Sequence, residues 1–158
     1  MTTVVADTSP INYLVLIGVM HVLPEIFQQV LIPPAVLREL QHVKTPKVVY
    51  AWAQYLPPWA KIQKPNQIDS SIGLGAGENE AISLAVERQI PILLIDDRQG
   101  WLAAEARSIL PVGTLNLLES AARRKLLNFE TSVAALQQTN FRIERSILET
   151  ALRRMRPE

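Results

Sequence analysis

The sequence predicts an α/β fold with a central parallel sheet and a helical C-terminal extension, and three observations lead to this class. Short apolar runs alternate with stretches of helical periodicity over the first two thirds of the chain, the order typical of parallel sheets. The apolar run at residues 92–95 has no polar alternation, as expected for a strand covered on both faces. After residue 113 the chain carries helical patterns only.

Apolar or β-branched runs predict five strands, at residues 3–6, 30–32, 61–63, 92–95 and 110–112. Hydroxyl and proline residues predict helix starts, because Ser and Thr cap helices and Pro suits the first helical position. Four predicted helices begin at Ser9-Pro10, Pro34, Thr45-Pro46 and Thr114. Four others are predicted at 78–88, around Trp101, at 132–138 and at 144–155. Without a repeat or linker, we predict one domain over 1–158, with 128–158 as the helical extension.

Composition excludes several functional classes. The chain has 158 residues, of which 48% are hydrophobic, and a formal net charge of +1. A strongly basic nucleic-acid-binding domain is therefore not indicated, and any such contact must come from local basic patches. The sequence contains no cysteine, which excludes disulfides, thiolate zinc sites and cysteine nucleophiles. Its apolar runs are too short to cross a bilayer, so we expect a soluble, cytoplasmic protein.

Carboxylates follow two of the predicted strands. Asp7 comes directly after the first strand, and Asp96 and Asp97 come after the most apolar one. Because ligands bind outside the carboxyl ends of parallel strands, we expect these acids to share one crevice. Three further acids lie on helices that could reach the same crevice: Glu39, Glu78 and Glu80.

Several carboxylates that face one another resist ionising together. A hard divalent cation such as Mg²⁺ or Mn²⁺, which prefers oxygen ligands, relieves this repulsion. The chemistry that follows is cleavage of a phosphodiester.

Each acid alone has an ordinary structural explanation. Asp7 could cap the next helix, Glu78 and Glu80 stand in a first turn where acids are favoured, and Glu39 could lie on a solvated face. The spacing of the whole set favours the metal site.

Four stretches resemble the PIN-domain family of ribonucleases, which includes the VapC-type toxins of toxin–antitoxin pairs. They are residues 4–9 (VVADTS), 32–40 (IPPAVLREL), 77–85 (GENEAISLA) and 93–98 (LLIDDR). Residues 112–118 (VGTLNLL) and 140–143 (NFRI) are similar to a branch of that family described only as predicted nucleic-acid-binding proteins. The resemblance spans nearly the whole chain.

The resemblance implies a three-layer α/β/α fold and an Mg²⁺- or Mn²⁺-dependent endoribonuclease that cleaves single-stranded RNA. It also implies a homodimer and a cognate antitoxin, and the apolar side of the helix that contains Trp52 is a candidate dimer surface. In register, Asp97 corresponds to the last acid, with Asp96 beside it, and Ile95 stands where relatives have threonine. Glu78 fits the third acid better than Glu80, although the two could exchange roles.

Other polar residues are candidates for supporting roles. Thr8 and Ser9 could orient Asp7 or a water, or simply cap the first helix, and Asn12 lies one turn after Thr8. Weak RNA contacts are expected from three basic residues: Arg98, Arg123 and Arg124.

Two other functions compete with the nuclease. The first is a catalytically weak or inactive PIN-fold module that binds RNA or protein, which Ile95 and the low net charge favour. The second is a phosphatase-like α/β protein, which ranks last because no second aspartate stands two residues after Asp7.

Overall fold

A computed structural model describes residues 2–156. Its strands are β1 Thr2–Ala6, β2 Phe27–Ile32, β3 Ala60–Ile62, β4 Ile92–Leu94 and β5 Leu110–Val112. The helices are α1 Thr8–Leu16, α2 Val22–Ile26, α3 Pro34–Leu40, α4 Lys47–Gln54, α5 Ala76–Glu87, α6 Arg98–Glu105, α7 Thr114–Arg123, α8 Phe129–Gln137 and α9 Arg145–Met155.

The five strands form one sheet in the order β3-β2-β1-β4-β5, and all neighbouring pairs are parallel. This confirms the predicted α/β class. The chain moves outward from β1 to β3 on one side and then crosses to β4 on the other. The strand order therefore reverses between β1 and β4, and this is where α/β sheets form their crevice.

Side chains alternate between the two faces of the sheet, and helices cover both faces. Val4 and Ala6 of β1 belong to a buried cluster with α1 to α4 and α7 to α9. Val5 belongs to a second cluster with α5 and α6. The strand periodicity of two produces this division, and the three-layer α/β/α arrangement is confirmed.

Helices α8 and α9 pack on the same cluster as β1. Phe129, Leu136 and Ala151 are almost fully buried within it. The Arg154 guanidinium of α9 also donates to the buried Glu119 carboxylate of α7, with 2.6 Å between Nη2 and Oε1. These contacts support the proposal that the C-terminal helices belong to one domain with the sheet. Within residues 2–156, no helix has the length and apolar character needed to cross a bilayer.

Two predicted helix starts are wrong. Helix α1 begins at Thr8, with Asp7 rather than Ser9 at the N-cap position, because the Ser9 hydroxyl is bound to Asp96 instead. Helix α4 begins at Lys47, and the Thr45 hydroxyl donates to the Glu39 carbonyl oxygen at 3.0 Å. The sequence also did not predict α2, because five residues are too few to show helical periodicity.

Candidate functional site

The site lies at the carboxyl ends of β1 and β4, which pair through Ala6 and Leu94. Asp7 follows β1 directly, and its N–H donates to the Leu94 carbonyl oxygen at 2.9 Å. Asp96 follows two residues after Leu94. The backbone pairing of these two strands therefore brings the two aspartates to one edge of the sheet.

Asp7 is the most confined of the acids. Its side chain is 3% exposed, and within residues 2–156 its Oδ1 atom is buried without a hydrogen-bond partner. The pKa of Asp7 is raised to about 7, mainly by burial and also by the negative charges of Glu78, Glu39 and Asp96, against a lowering by the Thr8 N–H. Asp7 does not use its carboxylate to cap α1. A proton or a cation must therefore compensate this buried charge.

Asp96 is held by three hydrogen bonds. The Ser9 hydroxyl donates to Oδ2 at 2.6 Å, and the Thr114 hydroxyl donates to the same oxygen at 2.7 Å. The Thr114 N–H donates to Oδ1 at 2.7 Å. Asp96 thus sits between the first turn of α1 and the N-terminus of α7, whose dipole favours a negative charge. Gly113 allows this approach, since a Cβ there would lie 3.1 Å from Oδ1.

Asp97 has a different role in the structure. Its side chain is exposed, and its Oδ2 accepts a hydrogen bond from the Gly100 N–H at 2.9 Å, which makes Asp97 the N-cap of α6. The contacts therefore favour Asp96 as the site residue, although the register of the resemblance points to Asp97.

Ile95 is fully buried in the cluster with α5 and α6. Asp96 does not depend on a hydroxyl at position 95, because the hydroxyls of Ser9 and Thr114 hold its carboxylate.

Glu39 reaches the site from the last turn of α3. Its Oε2 accepts a hydrogen bond from the Thr8 hydroxyl. Gly77, in the first turn of α5, makes room for this carboxylate, since a Cβ at that position would lie 2.7 Å from Oε1 and 3.0 Å from Oε2. Glycine at position 77 therefore permits the acid of α3 to approach the N-terminus of α5.

The two glutamates of α5 separate in the structure. Glu78 is half-buried and its charge acts on Asp7. Glu80 is buried, and its Oε1 accepts from the Ala35 N–H at 3.0 Å, while the Arg38 guanidinium lies 3.6 Å from Oε2. Glu80 thus satisfies an amide at the start of α3, the helix that carries Glu39, rather than joining the other acids.

The remaining predicted residues lie less close to these acids. Asn12 is half-buried on α1 and makes no side-chain hydrogen bond to an acid within the described chain. Arg98 is exposed at the start of α6, next to Asp97. Arg123 and Arg124 are exposed at the far end of α7 from Thr114, roughly 15 Å along a helix of this length, so the structure does not bring them to Asp96.

Sequence reasoning did not assign Thr114 and Gly77 to the site. Thr114 was predicted only to open a helix, and Gly77 only began one of the stretches that carry the resemblance. Their roles depend on contacts with Asp96 and Glu39, which lie 18 and 38 positions away in the chain. No local pattern carries that information.

The donor set fits a hard divalent cation. The side chains that converge here offer carboxylate and hydroxyl oxygens, the ligands preferred by Mg²⁺ and Mn²⁺. Asp7 Oδ1 is buried and has no partner within the described residues. Among residues 2–156, no three acidic or histidine side chains are already close enough together to form a metal-binding group.

Comparison with known protein families identifies the fold family of the chain. A family model described as a PIN domain matches residues 3–157, nearly the whole chain. No curated protein compared with the chain is significantly similar to it in sequence.

The raised pKa of Asp7 predicts a pH-dependent stability. Unfolded Asp ionises near pH 4, whereas folded Asp7 keeps its proton to about pH 7. The stabilisation that protonated Asp7 gives the folded state is therefore fully present below pH 4 and is lost as the pH rises to about 7. In EDTA, Asp7→Asn should be more stable than wild type at pH 8, by on the order of 2–4 kcal/mol, with a smaller gain at pH 5. Urea unfolding from pH 4.5 to 8 measures this difference.

Asp69→Asn is a control of opposite sign. The Ser71 hydroxyl and N–H, together with Arg107, lower the pKa of Asp69, so this carboxylate stabilises the fold above its unfolded pKa and stops doing so at low pH. Asp69→Asn should therefore destabilise the protein at neutral pH. A gain for Asp7→Asn that did not change with pH would contradict the assignment of a protonated, buried Asp7.

Proposed function

This chain belongs to the PIN-domain family, and we propose that it is an endoribonuclease that cleaves single-stranded RNA with the help of Mg²⁺ or Mn²⁺. PIN domains are generally nucleases, and they generally use divalent metal ions. The observation that carries the proposal is Asp7, a buried carboxylate that has other acids around it and one oxygen without a partner in the described part of the chain. Such a group is costly to keep unless a cation binds it.

Asp7 and Asp96 would hold the ion, with Glu39 and Glu78 beside them. When bound, such an ion polarises the scissile phosphate and neutralises the charge that develops on its oxygens. The cation also lets all four carboxylates be ionised together, which their mutual repulsion otherwise opposes.

Neutral donors keep these acids in place. The Thr8 hydroxyl holds Glu39, and the hydroxyls of Ser9 and Thr114 hold Asp96. Because each hydroxyl donates one hydrogen bond and adds no charge, it orients a carboxylate without forming an ion pair that would compete with the cation. Glu80 acts at a distance, since it fixes the start of the helix that carries Glu39.

The second candidate function is a PIN-fold module that binds RNA or protein and does not cut. The separation of the carboxylates favours it, since no group of three is assembled within residues 2–156. The two candidates differ in whether the RNA is cleaved and in whether that cleavage requires Asp7 and Asp96.

The nuclease is tested by incubating a mixed panel of single-stranded RNAs with Mg²⁺, Mn²⁺ or EDTA. Wild type should cleave with a metal and not in EDTA. Asp7→Asn and Asp96→Asn should each lower the rate at least roughly 100-fold, because they remove a charged ligand from the reacting centre.

Asp97→Asn is the matched control, since it removes the same charge one residue away. Asn caps a helix about as well as Asp, so this variant should keep both its fold and its cleavage rate. Loss of cleavage in Asp97→Asn with retention in Asp96→Asn would reverse the assignment of the two acids. Binding without cleavage by folded wild type would support the second candidate.

We further propose that the protein acts in the cytoplasm as the toxin of a type II toxin–antitoxin pair and forms a homodimer. The resemblance to VapC-type toxins supports this role. Val48 and Tyr50 of α4 are 54% and 44% exposed and would lie on the dimer surface, whereas Trp52 packs toward the core against Trp59.

Induced expression of wild type should arrest bacterial growth, and Asp7→Asn should not. Co-expression of a small partner encoded beside the gene should restore growth. Arrest by both wild type and Asp7→Asn would show that toxicity does not come from this site.

A further inference from the structure

The turn of residues 139–143, between α8 and α9, lies against α1. The Tyr13 hydroxyl donates to the Asn140 side-chain oxygen, with 2.6 Å between Oη and Oδ1. The Phe141 ring packs edge-on against Tyr13, with ring centroids 4.8 Å apart and an interplanar angle of 76°. Within the turn, the Phe141 N–H donates to the Thr139 hydroxyl at 3.1 Å. The 139–143 turn is therefore an ordered element with a fixed position on α1.

Tyr13 places this turn beside the acidic crevice. It follows Ser9 by one helical turn, so the two side chains share a face of α1, and the Ser9 hydroxyl is bound to Asp96 at 2.6 Å. The electrostatics agree with this placement, because burial and the charge of Asp96 both raise the pKa of Tyr13. One face of α1 therefore carries both Ser9, which binds Asp96, and Tyr13, which binds Asn140 of the turn.

We propose that the 139–143 turn binds the RNA strand next to the crevice, with the Asn140 amide contacting a base edge and Arg142 contacting a phosphate. The proposal rests on the proposed function, since it assigns a substrate-contacting element to that same site. It makes Asn140 a specificity-determining residue and Arg142 an anchoring one.

The chemistry of the two side chains suits these roles. Tyr13 binds the oxygen of the Asn140 amide, so the NH₂ group is directed away from Tyr13, and an amide so fixed presents its donors in one orientation. Sequence-specific RNA recognition uses such groups on the exposed edges of unstacked bases. Arg142 is exposed in the same turn, and guanidinium groups bind phosphate oxygens through paired hydrogen bonds.

The charge distribution gives a second reason for a basic side chain, Arg142, in this turn. The crevice is acidic and the whole chain has a net charge of only +1, so the polyanionic strand is not attracted by the protein as a whole. A positively charged side chain near the carboxylates offsets their repulsion of the RNA strand. Arg123 and Arg124 lie at the far end of α7 from Asp96, whereas Arg142 is in the turn that contacts α1.

A purely structural role would also explain the contacts, because they tie the C-terminal helices to α1. Asn140→Asp separates the two explanations. The aspartate keeps an oxygen that can accept from Tyr13 but has no NH₂ donors. Gln138→Glu is its matched control, since it adds the same negative charge two residues away at an exposed position.

The binding experiment uses the Asp7→Asn protein in EDTA, so that cleavage plays no part, and fluorescently labelled single-stranded RNA oligonucleotides. Adding Arg142→Ala should weaken binding roughly tenfold, the effect of losing a charge-assisted contact. Adding Arg88→Ala should not, because Arg88 is also exposed but follows the C-terminus of α5, the opposite end of the helix from the first turn that carries Gly77 and Glu78. Equal effects of the two substitutions would overturn the role of Arg142.

The specificity experiment maps cleavage sites on a mixed RNA, with the thermal midpoint measured in parallel. Asn140→Asp should change the relative rates at different sequences, whereas Gln138→Glu should lower all rates by one common factor. A common factor in both variants would overturn the role of Asn140 and leave the nuclease standing. Wild type that binds RNA through Arg142 but never cuts would overturn the nuclease and leave this turn as a binding element.

Discussion

The rest of the site depends on the burial of the Asp7 carboxylate, whose Oδ1 has no hydrogen-bond partner among residues 2–156. An ionised carboxylate in such a place is strongly unfavourable unless it is paired. The charged groups that act on Asp7 are other carboxylates, and their negative charge makes its ionisation harder. The fold thus maintains a position that is electrostatically unsatisfied in the protein alone and that a divalent cation would satisfy.

The acids of this region divide into those that face the crevice and those that hold the structure around it. Asp7 and Asp96 belong to the first group and are brought together by the pairing of β1 with β4. Glu80 and Asp97 belong to the second, since each accepts a backbone N–H at the start of a helix. Residues of one chemical type therefore take different structural positions according to the donors that the fold places beside them.

The sequence was sufficient to predict the parallel sheet, its three layers and the edge at which the acids gather. The sheet and this edge follow from hydrophobic periodicity and from the position of Asp7 and Asp96 after buried strands, whereas the three layers were implied by the resemblance to the PIN-domain family. It was not sufficient to separate Asp96 from Asp97 or Glu78 from Glu80. Neighbouring acids differ only in their tertiary partners, and Thr114, which binds Asp96, comes from a helix 18 residues later. Ile95 illustrates the same limit. The resemblance leads one to expect a hydroxyl at position 95, but the hydroxyls that bind Asp96 come from Ser9 of α1 and Thr114 of α7.

The most direct measurement is anomalous X-ray diffraction from crystals grown with Mn²⁺ above pH 7, where Asp7 is ionised. We expect an ion bound to Asp7 Oδ1 and the Asp96 carboxylate, with Glu39 and Glu78 beside it, and no ion in crystals of Asp7→Asn. An ion held by Asp97 instead, or an empty crevice in wild type at saturating Mn²⁺, would contradict the metal site on which the proposed nuclease depends.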